Sequence, residues 1–279
     1  MNKIAVLGSG LLGGSIALAA QTRLPSVTVF LWGRREQGAE DARQQGILHV
    51  TTDLAEAVSD ADLIILASPV GAMFEIIEAA AAAVSLMGVI ITDVGSVKLT
   101  PRDTLEHVIK DAGAKYIGSH PMAGSEQAGV CAAREDLFDN AACVITNDFS
   151  YPDSDVSMVK KFWETLGCRC HLTSSEDHDR VMARISHLPH LLASVGALVG
   201  LKNLTDAEFA GNGMRDTTRV ASGHPSMWSE ILMRNRESMQ QPIEETISHL
   251  QDVLVMLEKS RDEELTELLK DAKMLRDQI

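Results

Sequence analysis

A glycine-rich turn near the N-terminus constrains the fold more than any other feature of this sequence. The segment 8–13 reads G-S-G-L-L-G, directly follows the apolar run Lys3–Leu7 and leads into a helical pattern. The G-x-G-x-x-G spacing between a strand and a helix is typical of turns that bind the pyrophosphate of a dinucleotide. The glycines allow a tight bend, close approach of the anion to the backbone, and close packing of the helix on the strand. The sequence therefore predicts a nucleotide-binding turn made by Gly8, Gly10, Leu11, Leu12 and Gly13.

Short runs rich in Val, Ile and Leu alternate with helical segments through the first half of the chain. Most of these runs lack the polar alternation that one solvated face would impose, so we predict strands that are buried on both faces. Strands that alternate with helices imply right-handed crossovers, and hence an α/β fold with a doubly wound, Rossmann-type parallel sheet. The predicted strands are 3–7, 27–31, 62–67, 88–92, 115–118 and 142–146, and the predicted helices are 11–21, 35–45, 52–57, 70–84 and 101–111.

The composition changes after residue 147, where a polar stretch at 148–155 precedes a region dominated by the helical period. We therefore predict a dinucleotide-binding domain over 1–150 and an all-helical domain over 151–279, interrupted only by a brief strand at 169–172. Near the C-terminus an apolar stripe runs along one helical face. This stripe packs either within the helical domain or against a second copy in a homodimer. Its members are Ile243, Ile247, Leu250, Val253, Leu254 and Leu257.

Charge and composition exclude several partners. The chain has 25 Lys and Arg against 39 Asp and Glu, a net charge of −14, which repels nucleic acid and anionic membranes. The alanine-rich run 78–84 is far shorter than the ~20 residues of a membrane span, and the N-terminus lacks a signal-peptide layout, so we expect a cytoplasmic protein. The cysteines lack metal-binding spacing and are expected to be reduced thiols. They are Cys131, Cys143, Cys168 and Cys170.

The end of the second predicted strand bears on the choice of nucleotide. An NAD site carries Asp or Glu there, but this sequence has Gly33 followed by Arg34 and Arg35. Two guanidinium groups suit a 2′-phosphate, which favours NADP, with NAD as the alternative and a merely solvated helix start as the other interpretation of the arginines. The strand at 62–67 leads into Ser68 and Pro69, which we expect to pass beside the nicotinamide ribose.

Polar segments follow two further predicted strands, at 92–98 and 118–126. The carboxyl ends of parallel strands meet at one edge of a sheet, which is where small-molecule ligands bind in such folds. A histidine there can be neutral near pH 7 and accept a proton while an alcohol is oxidised. His120 is therefore the leading candidate for a catalytic base, and a structural histidine is the alternative.

Four segments together resemble the signature segments of the prephenate/arogenate dehydrogenase family. They read D-V-G-S-V-K at 93–98, H-P-M-A-G-S-E at 120–126, S-H-L-P-H at 186–190 and G-M-R-D-T-T-R-V at 213–220. The resemblance extends in order from the first strand to about Trp228. It implies a nucleotide domain, a helical substrate-binding domain that dimerises, and an oxidoreductase that makes the aromatic precursor of tyrosine.

The resemblance also implies a reaction. Hydride leaves the hydroxyl-bearing ring carbon of prephenate towards the nicotinamide, and the ring carboxylate leaves as CO₂ to give 4-hydroxyphenylpyruvate. By this likeness His120 bonds the ring hydroxyl, while Ser96 orients the imidazole or contacts the nicotinamide ribose. Arogenate is a possible substrate, as is another amino-substituted analogue. The protein then needs one base, orientation, and anchors for two carboxylates.

The resemblance assigns further residues to the substrate. Arg219 resembles an arginine that clamps a carboxylate, and His190 resembles a substrate-binding residue of the helical domain. Glu126 resembles a gate or supporting carboxylate, and Trp228 an aromatic near the site. Family members that prefer arogenate tend to carry an acidic residue where this chain has Ser125, which favours prephenate.

Other interpretations stay open. His187 is expected to pack or cap rather than bind, and Lys98 is expected to be a structural or orienting partner, as are Arg215 and Asp216. A β-hydroxyacid dehydrogenase would use a lysine and an asparagine, which adjacent Lys202 and Asn203 resemble only superficially. A non-catalytic NADP-binding redox sensor is the alternative from outside catalysis.

Overall fold

The computed structural model describes residues 1–125 and 127–279. Within them the first half forms a six-stranded parallel sheet in the order β3-β2-β1-β4-β5-β6, which confirms the predicted Rossmann-type fold. Its elements are β1 Lys3–Leu7, α1 Leu11–Arg23, β2 Thr28–Trp32, α2 Glu36–Gln44, β3 His49–Thr51, α3 Leu54–Val58, β4 Leu63–Leu66, α4 Met73–Ala83, β5 Ile90–Asp93, α5 Leu99–Asp111 and β6 Lys115–Tyr116.

The sheet is covered on both faces. In β1, Ile4 and Val6 belong to one core cluster, whereas Ala5 and Leu7 belong to the other. Side chains alternate between faces along a strand, so a strand buried on both sides must be apolar throughout. This explains why the runs of the first half lack a polar alternation.

A second, three-stranded sheet was not predicted. The predicted strand at 115–118 divides: β6 ends at Tyr116, and β7 Gly118–Pro121 pairs antiparallel with β8 Ala142–Thr146. In turn, β8 pairs in parallel with β9 Arg169–Thr173. The bounds of β8 were right, but its place in the large parallel sheet was wrong, since a strand's direction depends on the chain path before it rather than on its own pattern.

The predicted boundary at residue 150 falls inside a packed unit. Helix α6 Asp153–Thr165 buries Phe162 and Trp163 in the core of the nucleotide-binding half, and the Trp163 Nε1–H donates to Ser119 Oγ at 2.9 Å. Strand β9 also belongs to this half through its pairing with β8. In the polar stretch 148–155, residues 148–152 form a turn before α6 and residues 153–155 are the first turn of α6, and the helical half follows β9.

The second half is helical, as predicted. A nearly continuous helical run of α7 Ser175–Met182, one π-helical turn Ala183–His187 and α8 Leu188–Gly200 is followed by four further helices. None of the described helices has the length and apolar character that crossing a membrane requires. The later helices are α9 Asn212–Thr218, α10 Pro225–Arg234, α11 Arg236–Glu258 and α12 Asp262–Arg276.

The apolar stripe of α11 is not buried within the chain. Ile247, Leu250, Leu254 and Leu257 are all about half exposed or more, and α12 has no buried residue. Packing within the helical half therefore covers only part of this stripe, since Ile243 and Val253 are half-buried while the other four members are exposed.

Candidate active site

The glycine-rich turn between β1 and α1 has the shape that its sequence predicts. Gly8 has a φ of +136°, and a Cβ placed there would clash with the carbonyl of Ala67. A Cβ on Gly13 would clash with the carbonyl of Gly8, whereas one on Gly10 would meet no described atom within 4 Å. Gly8 and Gly13 thus serve the packing of the turn, and Gly10 leaves open space above it.

The residues around the turn fit a pyrophosphate and its ribose. The start of α1, at Leu11 and Leu12, has no side-chain cap, so its backbone N–H groups are oriented for an anion. Beyond β4, Ser68 Oγ is buried and lacks a hydrogen-bond partner among the described residues. Pro69 follows it at the surface, before a short 3₁₀ turn. A bound nucleotide would supply the partner that a buried hydroxyl needs.

The residues predicted to select the nucleotide lie at the carboxyl end of β2. Gly33 is buried, and a Cβ there would lie 2.5 Å from Ser9 Oγ. Arg34 and Arg35 are exposed just before α2. A carboxylate therefore does not occupy the first position after the strand, and two guanidinium groups stand beside it.

His120 lies in β7 and is 7% exposed. Its Nδ1 is 2.9 Å from His178 Nε2, and His178 Nδ1 is 2.7 Å from Asp179 Oδ1. Burial, followed by the charges of His178 and Lys98, holds the pKa of His120 well below its usual range. Burial also lowers the pKa of His178, although Asp179 opposes this shift. Both imidazoles are therefore neutral at pH 7.

The partners of His120 were missed from the sequence. His178 and Asp179 stand on α7 within S-S-E-D-H-D-R, which has the polar composition of a solvated helix start. Both side chains are nevertheless almost fully buried. An adjacent His-Asp pair in a short helix after a strand was the available signal, but only the fold brings it to a residue 58 positions away.

A buried ion pair supports the loop that carries Ser96. Lys98 and Asp93 are both fully buried and pair with each other, as expected of a structural lysine. Asp93 also accepts hydrogen bonds from the Tyr116 hydroxyl at 2.8 Å and from the backbone N–H of Gly95 at 2.8 Å. These contacts order the turn between β5 and α5. The hydrogen-bond partner of His120 Nδ1 is His178 and not Ser96.

The helical half contributes a stacked histidine and tryptophan. The rings of His190 and Trp228 lie parallel, with centroids 3.5 Å apart, and a Cβ on Gly223 would clash with the indole. His187 is fully buried, bonded through Nδ1 to Asn235 Nδ2 at 3.0 Å, and its pKa is lowered to about 4 by burial. His190 and Trp228 therefore form one stacked pair, whereas His187 is buried against Asn235.

The remaining predicted substrate contacts lie on the surface of loops and turns. Arg219 is exposed and begins the 3₁₀ turn that follows α9. Ser125 is exposed, and its Oγ accepts a hydrogen bond from the backbone N–H of Gln127 at 2.9 Å. The predicted residue Glu126 lies outside the described residues.

A Rossmann sheet with an open glycine turn, a neutral histidine in the small sheet beside the carboxyl end of β5, and a helical second half define a pyridine-nucleotide-dependent dehydrogenase. Two family profiles match the chain. The one described as the prephenate dehydrogenase nucleotide-binding domain matches residues 16–172, and the one described as the prephenate dehydrogenase dimerization domain matches residues 174–271. The chain belongs to the prephenate dehydrogenase family, and the two profiles meet where β9 ends.

Known proteins of this family are similar over nearly the whole chain. A cyclohexadienyl dehydrogenase of Zymomonas mobilis is 33% identical over 98% of this chain and 94% of that protein. A prephenate dehydrogenase of Bacillus subtilis is 33% identical over 98% of this chain and 75% of that protein. A crystal structure of prephenate dehydrogenase from A. aeolicus, in complex with hydroxyphenyl propionate and NAD⁺, has a TM-score of 0.90 and 29% identity, and covers 100% of this chain and 98% of that chain.

The structure does not support the β-hydroxyacid dehydrogenase interpretation, which depends on Lys202 and Asn203. The Asn203 side chain accepts a hydrogen bond from the backbone N–H of Thr205 and donates to Asp206, so it caps a 3₁₀ turn. Lys202 next to it is exposed. Neither arrangement is that of a buried acid–base pair.

Proposed function

We propose that the protein catalyses the oxidative decarboxylation of prephenate to 4-hydroxyphenylpyruvate with NADP, in tyrosine biosynthesis. The observation that carries this proposal is the environment of His120, a neutral, buried imidazole whose Nδ1 is already bonded to His178. Nε2 is then the nitrogen that remains to meet a substrate hydroxyl. A base of this kind must be unprotonated before the reaction, and burial provides that at pH 7.

Beyond this base, the reaction requires few catalytic groups from the protein. A pyridine nucleotide held at the glycine-rich turn would supply the acceptor for the hydride of the hydroxyl-bearing carbon. His120 takes the hydroxyl proton as the carbon–oxygen double bond forms and returns it to the oxygen when loss of CO₂ makes the ring aromatic. No net proton is consumed, so one histidine suffices as acid and base.

Two anchors are proposed for the carboxylates of the substrate. Arg219 would bind one of them through its planar guanidinium group, which matches a carboxylate in two hydrogen bonds. His190, whose ring stacks on Trp228, would contact the substrate from the helical half. Ser96 would contact the nicotinamide ribose or the imidazole, and Glu126 would act as a gate.

NADP is proposed over NAD because of Gly33, Arg34 and Arg35. Neutral and cationic groups at the end of β2 do not repel a 2′-phosphate, and guanidinium groups bind it. Replacing Arg34 with alanine should raise the KM for NADP by about 10-fold or more, equivalent to the loss of one charged hydrogen bond, and change the KM for NAD little. Equal effects on both nucleotides would contradict the assignment.

Prephenate is proposed over arogenate because Ser125 carries no charge. Arogenate bears an ammonium group where prephenate has a ketone, and Ser125 offers that ammonium group no carboxylate partner. Arogenate is the second candidate substrate, because the preference for prephenate is inferred from Ser125 alone.

A homodimer formed through the helical half is also proposed. The stripe on α11 is exposed in the single chain, and the second half matches a domain described as a dimerization domain. Contiguous apolar helix faces of this kind are buried by a partner, and a second copy offers the same face.

The proposal is tested by initial rates of the purified protein with prephenate and with arogenate, each with NADP and with NAD. The highest kcat/KM is expected for prephenate with NADP. Turnover of neither substrate would refute the proposal. His120→Asn should lower kcat by about 10²- to 10⁴-fold while the nucleotide still binds, and exposed His107→Asn is the matched control.

A further inference from the structure

A chain of buried hydrogen bonds continues behind His120 into the helical half. It runs from His120 Nδ1 to His178 Nε2 at 2.9 Å, and from His178 Nδ1 to Asp179 Oδ1 at 2.7 Å. The Asp179 carboxylate is held in turn by the backbone N–H groups of Lys98 at 2.7 Å and Leu99 at 3.0 Å. Asp179 and His178 are at most 1% exposed, so water does not compete for these bonds.

Asp179, the last member of this series of hydrogen bonds, determines which atom donates in each bond. Asp179, as a carboxylate, only accepts, so His178 Nδ1 must carry a hydrogen. A neutral imidazole has one N–H, and His178 Nε2 is therefore an acceptor. His120 Nδ1 must then donate to it, which leaves the lone pair of His120 on Nε2.

We propose that His178 and Asp179 are positioning residues that fix His120 in the Nδ1–H tautomer and so make its Nε2 the proton acceptor. The inference rests on the proposed role of His120 as the base. Neither residue needs to touch the substrate, since both act through the imidazole. In the free ring the two tautomers exchange readily, and only one of them can accept a proton at Nε2.

The same series of hydrogen bonds stabilises the His120 imidazolium that forms during turnover. When His120 Nε2 takes a proton, the Nδ1–H bond to His178 persists, and the negative charge of Asp179 lies behind it. Lys98 and His187 also face His120, and Lys98 and Asp93 face His178. The positive charge of Lys98 disfavours a protonated His120, whereas the negative charge of Asp179 favours it. Removal of the Asp179 charge should therefore make His120 harder to protonate.

The position of these residues couples the base to the docking of the two halves. His178 and Asp179 stand on α7, the first helix of the helical half, whereas His120 lies in β7 of the nucleotide-binding half. Asp179 contacts the first turn of α5, two residues after Ser96. The active tautomer of His120 therefore exists only while α7 is seated on this turn.

The first test needs no substrate. Long-range ¹H–¹⁵N correlation spectra of the full chain with ¹⁵N-labelled histidine, at pH 7.5 and assigned with His120→Asn, report which nitrogen of His120 is protonated. We expect a protonated Nδ1 and an unprotonated Nε2. A protonated Nε2 would overturn the proposal whether or not the protein turns over prephenate, so this result is separate from the proposed function.

The second test compares two replacements of His178. In His178→Gln the amide oxygen can still accept from His120 Nδ1–H, whereas His178→Phe keeps the ring shape without an acceptor. We expect kcat for prephenate oxidation to fall about 10²-fold or more in His178→Phe, to recover at least about 10-fold in His178→Gln, and KM to change little in either. Equal kcat values in the two variants would contradict a tautomer-fixing role.

The third test uses pH. In Asp179→Asn the acid limb of kcat/KM should move about 1 unit lower, because the cation loses its counter-charge. Glu176→Gln, which removes an exposed carboxylate of the same helix outside this series of hydrogen bonds, is the control and should keep the wild-type midpoint. A wild-type midpoint in Asp179→Asn would show that the residue is merely structural and would overturn the proposal.

Discussion

The histidines of the site share one physical property, which is burial without a full positive charge. Burial lowers the pKa of His120, His178, His187 and His190. A neutral imidazole is a base, a stacking ring and an acceptor at once, and the site uses these functions at different positions. The cost of this arrangement is that each ring resists protonation only as long as the fold holds it away from water.

This property predicts how stability depends on pH. The unfolded chain binds protons on these histidines near pH 6.5, whereas the folded chain does not, so the free energy of unfolding should fall as pH falls below 6.5. For His187, whose folded pKa is about 4, the loss between pH 6.5 and 5 is on the order of 1 to 2 kcal/mol. Urea unfolding at several pH values measures it, and His187→Asn should show a shallower slope. An identical slope in that variant would contradict the prediction.

The residues of the site differ in how far sequence could identify them. His120 was predictable because it follows an apolar run and lies among glycines and a proline, a local signal of a ligand-binding edge. His178 and Asp179 were not, since they are polar residues in a polar helical segment whose burial depends on contacts with β7 and α5. Local pattern reports where a chain turns, but it does not report which distant element covers a side chain.

At the scale of elements, the two halves meet at the turns that end β4 and β5. Asp179 of α7 binds the start of α5, and Glu230 of α10 accepts a hydrogen bond from the Gly71 N–H at 2.6 Å. Arg234 holds Glu230 at 2.9 Å from the next helical turn. Both contacts lie at the carboxyl edge of the sheet, so the helical half covers the edge that carries the glycine-rich turn.

Gly8 and Gly10, in the turn between β1 and α1, have different roles, so their replacements should have different effects. Gly8→Ala should lower the free energy of unfolding by more than about 1 kcal/mol, because its φ is positive and its Cβ would clash with Ala67. Gly10→Ala should leave stability within about 0.5 kcal/mol but weaken nucleotide binding about 10-fold or more. Chemical unfolding and nucleotide titration distinguish the two, and tight nucleotide binding by Gly10→Ala would contradict the assigned turn.

Elements with a strong apolar or helical pattern were predicted well, and very short or nonlocal ones were not. The apolar runs of β1, β4 and β5 are buried on both sides and stand out in any sequence. Strand β3 has only three residues at the sheet edge, which is too few for periodicity. The polar turn before α6 resembles a linker in the sequence, although α6 packs in the nucleotide-binding core.

At the scale of the whole molecule, the exposed stripe on α11 predicts the assembly. Leu254→Glu places a charge in the centre of the proposed interface and should raise the dimer dissociation constant about 100-fold or more. Sedimentation velocity over a range of concentrations measures this change. Leu48→Glu, at an exposed leucine of the nucleotide-binding half, is the matched control and should leave the assembly unchanged. A monomeric wild-type protein at high concentration would contradict the proposed homodimer.

In the proposed function, loss of hydride and loss of CO₂ are two parts of one reaction at this site. Prephenate that carries deuterium on its hydroxyl-bearing carbon, incubated with NADP and the protein, tests it by mass spectrometry of the products. We predict one deuterium in each reduced nucleotide, with 4-hydroxyphenylpyruvate and CO₂ formed in equal amounts. Release of CO₂ without labelled, reduced nucleotide, or no reaction at all, would contradict the account.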